Sequence, residues 1–564
     1  MKKYFLLLVI IFSSIFSYTQ TVYEHISNSN IYDFLDEMAN EKLIQINSAI
    51  KPYSKMFIYK KLKEVENEYN KNNAILNKRQ ARELNFYLQA YILEGEPPLE
   101  VKKQINICKS RNDKNSFAWN PLGYLHKDSV FSFALKPVYG IEYSVNENGG
   151  NFHNWGGGEM YGYIGKHLSF YGSLRDNNED LNLIRPEYYT LREGVPVKNF
   201  GAEGVDYSET RGGLMYNWKW GSVGIIKDHV QWGEGYHGAN IQSGHAPSFA
   251  MITLNINPAW WFDFNYYHGW LVSQVVDTAN SYWTNGVYRV VYFPKYIAAN
   301  MFTFYPIHNL NISIGNSIVY SDVGGGGPHL AYLIPFLFYK SVDHTLNATN
   351  SDGESGQNAQ MYLSVGSRNI KHLHMYFTLF ADDFSVRHIT IKDQLNYLSY
   401  KAGFRLSNFP LANVAFTFEW TRTNPYVYQH AIETTTYESN KYNMGHYLRD
   451  NSREFYFALS YKPLRGLHFM ASYTLAQHGT DADYVECKLD PNCNLHEHPF
   501  MDRVIWEDQQ IDFSARYEIV ANTYLFLTYR FSNITGDQEA VEKYTPSYYR
   551  GKTNTFTFGA NIGF

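Results

Sequence analysis

The stretch Asp228–Ser248 reads DHVQWGEGYHGANIQSGHAPS and gathers three histidines, two acids, a tryptophan and four glycines. Imidazoles carry protons or bind metals near neutral pH. Carboxylates such as Asp228 and Glu234 act as bases or ligands, and an indole such as Trp232 stacks on sugar faces. The spacing selects among these chemistries. His237 and His245 are eight residues apart with glycines between them, unlike the one-turn helical spacing of HExxH zinc enzymes. No serine sits in a Gly-x-Ser-x-Gly strand-to-helix setting. Gly233, Gly235, Gly238 and Gly244 suit turns with positive φ. The stretch therefore reads as a structured polar loop. Trp232, Glu234 and His237 are its candidate glycan contacts, and no catalytic residue, metal or cofactor is expected.

Other tempting signals weaken in the same way. GGNFHNWGGGEMYG at 149–162 sets Trp155 among glycines, and we expect it to join the first two strands and offer a further glycan contact. GGGGPH at 324–329 lacks the Lys-Ser/Thr of a phosphate loop. HEH at 496–498 reads as surface. Cys487 and Cys493, in CKLDPNC, can close a small disulfide loop in an oxidising compartment, with two free thiols as the alternative.

The elements that carry these residues follow from composition. Charged residues are 18% of the 564 and aromatics 17%, with 49 tyrosines, yet the mean hydropathy is negative. An apolar–polar alternating surface with aromatic girdles accounts for both. The net charge of −5 gives no reason to expect nucleic-acid binding. Residues 1–20 read as a secretory signal, with Lys2 and Lys3 before an apolar run too short to span a bilayer as a helix. Residues 21–107 carry helical spacing. Ser29 or Asn30 caps a helix burying Ile31, Phe34, Leu35 and Met38; Pro52 opens a second carrying Met56, Ile58, Leu62 and Val65; a third runs from about Lys78 to Leu93. GEPP at 95–98 ends the third. Residues 108–128 read as a linker.

From residue 129 to 564 the period becomes two. In SYKAGFRL (Ser399–Leu406) and IDFSARYE (Ile511–Glu518) every second residue is apolar, and ionisable or polar groups oppose them. Lys401, Arg405, Glu419, Asp512 and Arg516 lie on that polar face, which fits a wet lumen better than lipid. About eighteen such segments, joined alternately by short and long connections, predict an all-β transmembrane barrel of antiparallel strands. Its short turns and the small N-terminal α-helical domain belong to the periplasm, and its long loops to the outside. The C-terminal TNTFTFGANIGF alternates and ends in Phe564, like the last strand of outer-membrane barrels.

Four stretches carry a family resemblance: IYDFLDEMANEKLI, NSAIKPYSKMFIYKKL, VQWGEGYHGANIQSGHAPSF and INPAWWFDFNYYHGWLVS. With them the chain resembles the Wzi-like capsule-assembly outer-membrane proteins, in the form found in Bacteroidetes-type bacteria. It is also similar to RemB-like gliding-motility proteins of the same layout. The resemblance implies a large barrel with a periplasmic helical bundle near its lower opening. It implies a non-catalytic role in binding or organising capsular or other surface polysaccharide. The other readings are a motility or adhesion role through surface-protein partners, and a diffusion channel. Outer-membrane lipid is the expected surrounding, and no defined glycan ligand set carries over to numbered residues.

Overall fold

The computed structural model describes residues 20–95, 114–201, 204–321, 327–347, 356–383, 396–495 and 497–564. The expected signal segment therefore lies outside the described residues, apart from Gln20.

Eighteen antiparallel strands close into one barrel. They are β1 (Phe131–Asn146), β2 (Gly149–Ile164), β3 (Leu168–Glu179), β4 (Gly204–Trp218), β5 (Gly221–Asp228) and β6 (Phe249–Ala259). Next come β7 (Phe262–Val276), β8 (Tyr292–Ile307), β9 (Leu310–Tyr320), β10 (Asn358–Ser367), β11 (Leu373–Asp383) and β12 (Tyr397–Ser407). The last are β13 (Val414–Thr423), β14 (Ser452–Leu464), β15 (Leu467–Gly479), β16 (Val504–Val520), β17 (Thr523–Gly536) and β18 (Lys552–Ile562). Closure comes from β18 pairing with β1, for example Phe556 with Val145 and Ile562 with Tyr139. The period-two pattern decides the faces. On β1, Leu135, Tyr139, Ile141 and Tyr143 point outward and stay exposed, while Ala134, Val138 and Ser144 point inward and are buried. The outward apolar band is what a lipid-facing barrel requires.

Two expectations need correction. Residues 149–162 are no mouth loop: they form β2, and the turn is only Glu147–Asn148. The glycines misled the reading because they serve packing. A Cβ on Gly140 would lie 2.1 Å from the Trp155 ring, and one on Gly157 would lie 1.9 Å from the Leu174 carbonyl oxygen. The linker is also not plain. Residues 115–119 and 122–127 make a hairpin that pairs with the start of β1, Tyr124 opposite Leu135.

The front end folds as α1 (Ser29–Asn40), α2 (Lys55–Lys71) and α3 (Lys78–Ala90). Ser54, not Pro52, begins α2, because its hydroxyl accepts from the Phe57 amide. Asn77 and Gln80 make a capping box on α3. Ile31, Phe34, Leu35, Met38, Ile58, Leu62, Val65, Leu84 and Tyr87 form the shared core. The helices sit against the short-turn end of the barrel. Asn40 donates to Ser407 at 3.0 Å, Arg79 Nε donates to Asn413 at 2.8 Å, and Asn30 donates to Glu518 at 2.9 Å.

One long connection folds outward. Residues 327–347, including α4 (Tyr339–Asn347), lie against the outer face of β7, β8 and β9. They cover Phe264, His268, Asn300, Asn316 and Tyr320, which point away from the lumen yet are buried. Asn300 donates to the Pro335 and Leu337 carbonyls, both at 2.9 Å, and Asn316 accepts from the Tyr339 amide at 2.9 Å. The strap thus satisfies polar groups that lipid could not. Another long loop carries a disulfide between Cys487 and Cys493, with Cα atoms 5.2 Å apart.

Candidate functional site

An eighteen-stranded wall encloses more space than its own side chains fill. Residues 229–248 descend into that space. Trp232 pairs in register with Ile50, just ahead of α2, and the Gly233 amide donates to the Ala49 carbonyl at 2.9 Å. Gly233, Gly235, Gly238 and Gly244 all have positive φ, which gives the loop its tight path.

The three expected glycan contacts of this loop are therefore not on a mouth surface. Trp232 is 4% exposed, edge-on to Tyr267 and Tyr362. Glu234 is fully buried, accepts from Asn311 at 3.1 Å and faces His374 at 3.6 Å. Burial pushes its carboxyl up, and Arg368 opposes that rise. The His237 ring stacks on Tyr456 at 4.0 Å and faces Glu454 at 3.5 Å. Trp155 lines the wall in mid-strand beside His153, at 4.7 Å. These partners satisfy polar groups on the wall's inward face.

Most of the inward charges bond to this inserted loop, the plug, or to the N-terminal helices. Lys401 and Glu419 pair at 2.7 Å and are essentially unexposed. Lys401 donates to the His237 carbonyl at 2.7 Å, while Glu419 accepts from the Tyr236 and His237 amides at 2.6 and 3.0 Å. Arg405 pairs with Asp33 of α1 at 3.2 Å, and its guanidinium lies over the Tyr236 ring. Arg516 donates to Asn30, and Asp512 accepts from Arg530 at 2.7 Å. Asp36 of α1 binds Arg368 at 2.5 Å and accepts from the Tyr236 hydroxyl. Burial alone would raise the Asp36 carboxyl; Arg368, His374, Arg405 and Lys51 outweigh it and hold it at about 2. Helices, loop and wall are thus one polar network.

Two features of the long-loop end were not singled out from the sequence. One is a crevice of about 710 Å³, lined by Arg185, Glu187, Gln274, Asn440, Lys441 and Tyr442 among others; a second, of about 630 Å³, lies at the short-turn end. The other is a hairpin, residues 282–289, following β7, the strand that brings Gln274 to the crevice. Its turn is Asn285-Gly286, both at positive φ. Trp283 is 72% exposed, with its ring 5.4 Å from Tyr288, and Tyr282 and Tyr292 are also exposed. SYWTNGVYRV carried the signal, since Asn-Gly between alternating residues is a hairpin mark. Polar groups beside exposed aromatic faces can bind sugars through hydrogen bonds and stacking.

The comparisons with known proteins come down on one family. The profile described as capsule assembly protein Wzi matches residues 213–543, more than half of the chain. The chain belongs to the Wzi capsule-assembly family. In structure it is similar to Escherichia coli Wzi, described as an outer-membrane protein involved in group 1 capsule assembly and a carbohydrate-binding β-barrel. That match has a TM-score of 0.54 and 11% identity, and covers 97% of this chain and 100% of the other. Weaker likenesses include Pseudomonas aeruginosa OccD3, with TM-score 0.41, 11% identity and coverage of 76% and 90%. P. aeruginosa OprD gives TM-score 0.41, 9% identity and coverage of 76% and 93%. No curated protein sequence matches the chain.

Proposed function

We propose that this outer-membrane barrel holds surface polysaccharide at its long-loop end and catalyses no reaction. The short-turn end and its helices then face the periplasm, and the aromatic hairpin and neighbouring crevice face the cell surface. The observation that carries the reading is where the lumen's polar groups are spent. Lys401 and Glu419 are bonded to the plug and Arg405 to Asp33 of α1, so these wall charges, which a diffusion channel would offer to solutes, are occupied. An open, aromatic, hydrogen-bonding surface lies at the loop end, at Trp283, Tyr288, Asn440 and Lys441. Family membership, and the carbohydrate binding of the structurally similar E. coli Wzi, support the same substrate class.

The test is capsule retention in cells carrying Trp283→Ala with Tyr288→Ala, or Lys441→Ala with Asn440→Ala, with cell spreading scored on the same cells. Lost retention at normal barrel abundance supports the proposal. Unchanged retention in both double variants refutes the assigned surface. Lost spreading with intact capsule transfers the function to motility or adhesion partners.

A further inference from the structure

His25 precedes α1, Glu193 belongs to the loop after β3, Glu209 lies on β4, and His229 follows β5 directly. The fold brings one ligand atom from each within 4.8 Å of all the others. We propose that these four residues form a binding site for a divalent transition-metal ion of the zinc type, which cross-links the N-terminal segment, two long loops and the barrel wall.

The donor set is two imidazoles and two carboxylates, which suits a four-coordinate zinc-type ion. His229 Nε2 lies 2.9 Å from Glu209 Oε1 and 3.9 Å from Glu193 Oε2, and His25 Nε2 lies 3.9 Å from Glu193 Oε1. A tetrahedral site with bonds of about 2.0–2.1 Å has donors roughly 3.3 Å apart. These two longer separations must close, and the shorter one open, by about half an ångström; the remaining pairs, all within 4.8 Å, close by at most about 1.5 Å, within reach of side-chain rotation.

A second observation points to a ligand. His25 is 4% exposed, and its Nε2 has no hydrogen-bond partner. Its Nδ1 faces Ser27, whose hydroxyl lies at 2.5 Å and whose amide lies at 3.2 Å. When the amide bonds to Nδ1, the ring proton sits on Nε2 and points at no acceptor within bonding distance. When the proton moves to Nδ1, the Ser27 hydroxyl accepts it, and the Nε2 lone pair is free for a cation. A buried polar atom left unpaired is costly, and an ion removes that cost.

The surroundings suit an ion. Arg175 holds Glu209 Oε2 at 2.8 Å, which leaves Oε1 turned to the centre. Arg211 lies 3.8 Å from Glu209 and pairs with Asp228 at 3.3 Å. Glu193, Glu209 and Asp228 thus face two guanidiniums, so the acids outnumber the fixed cations around the two imidazoles. Glu193 is the one partly exposed ligand, at 25%, and gives an ion its way in.

The full-length protein, in detergent and stripped with a chelator, is titrated with Zn²⁺ alone. Bound metal is counted by mass spectrometry after dialysis, and Co²⁺ replaces Zn²⁺ to read coordination from its visible bands. Wild type is expected to hold about one ion per chain and to give tetrahedral cobalt bands. His25→Ala, and separately Glu193→Gln, should weaken binding at least tenfold while keeping the heat-modifiable migration of a folded barrel. Glu193→Gln, on a partly exposed loop, serves if His25→Ala does not fold. No stoichiometric ion in folded wild type, or equal binding in the folded variants, overturns the proposal.

Discussion

Replacing Glu419 by alanine tests whether the plug is held as described. Glu419 accepts two backbone amides from the plug, Tyr236 at 2.6 Å and His237 at 3.0 Å, and it neutralises Lys401 at 2.7 Å. Both charged side chains are fully buried. Removing one partner of such a pair costs about 3–5 kcal/mol, because the other charge stays buried and uncompensated. The barrel's own ladder does not depend on Glu419's side chain, so the cost falls on docking of residues 229–248. About 4 kcal/mol is close to a thousandfold shift from docked to undocked plug. In planar bilayers, wild type should conduct little, and Glu419→Ala should show frequent open events. Lys401→Met combined with Glu419→Gln should be quieter than Glu419→Ala, since no lone charge is left. A silent Glu419→Ala barrel, with protease protection of 229–248 unchanged, would refute the reasoning.

Further outcomes follow from other parts of the fold. Asp36 sits at about 2 in the docked helices against 3.8 when free, so it favours docking above pH 4 by about 2 kcal/mol, and that gain disappears as pH falls through 2. Hydrogen exchange of α1 between those pH values should rise in wild type and stay flat in Asp36→Asn; identical profiles would remove Asp36 from the clamp. Tyr339, the strap's own buried residue at the start of α4, should cost about 3–4 kcal/mol when changed to alanine, seen as earlier heat-unfolding and faster cleavage within 327–347. An unchanged unfolding temperature would mean the strap is not docked. Phe336, on the strap and exposed, should when replaced by tryptophan add fluorescence that brominated acyl chains quench, and no added quenching would place the strap outside the bilayer.

The barrel was legible because each strand's alternation states which side chains face the lumen. All eighteen strands fall on segments readable that way, most to within a few residues; β2 and β4 begin seven or eight residues earlier than their alternation suggests. The site was less legible because alternation says nothing about what occupies the lumen. DHVQWGEGYHGANIQSGHAPS lies between two strands at the long-loop end, and a loop in that place reads as surface. Its partners, Ile50, Asn311, His374, Lys401 and Glu419, are scattered over hundreds of residues. The same dispersal hid His229 from any metal reading, since its neighbours are His25, Glu193 and Glu209. Local spacing finds sites built on one element, and this one is built on four.

One signal did lie in the pattern. Polar residues on an outward face have two physical outcomes: contact with water, or cover. On β8 and β9, Asn300 and Asn316 face outward between apolar neighbours such as Phe302 and Ile314. Lipid cannot satisfy an amide, so an outward asparagine within a spanning strand predicts a protein segment over it. Residues 327–347 are that segment, and they meet both amides with main-chain groups. The argument applies equally inside the barrel. Lys401 and Glu419, on neighbouring strands of a wall too wide to pack against itself, are two charges that require either a water-filled channel or a plug. The stretch with enough backbone amides and glycines to reach them was the glycine-rich histidine loop. In the fold it is an interior strut: Lys401 and Glu419 bond to its backbone, Asn311 donates to Glu234, and His237 stacks on Tyr456.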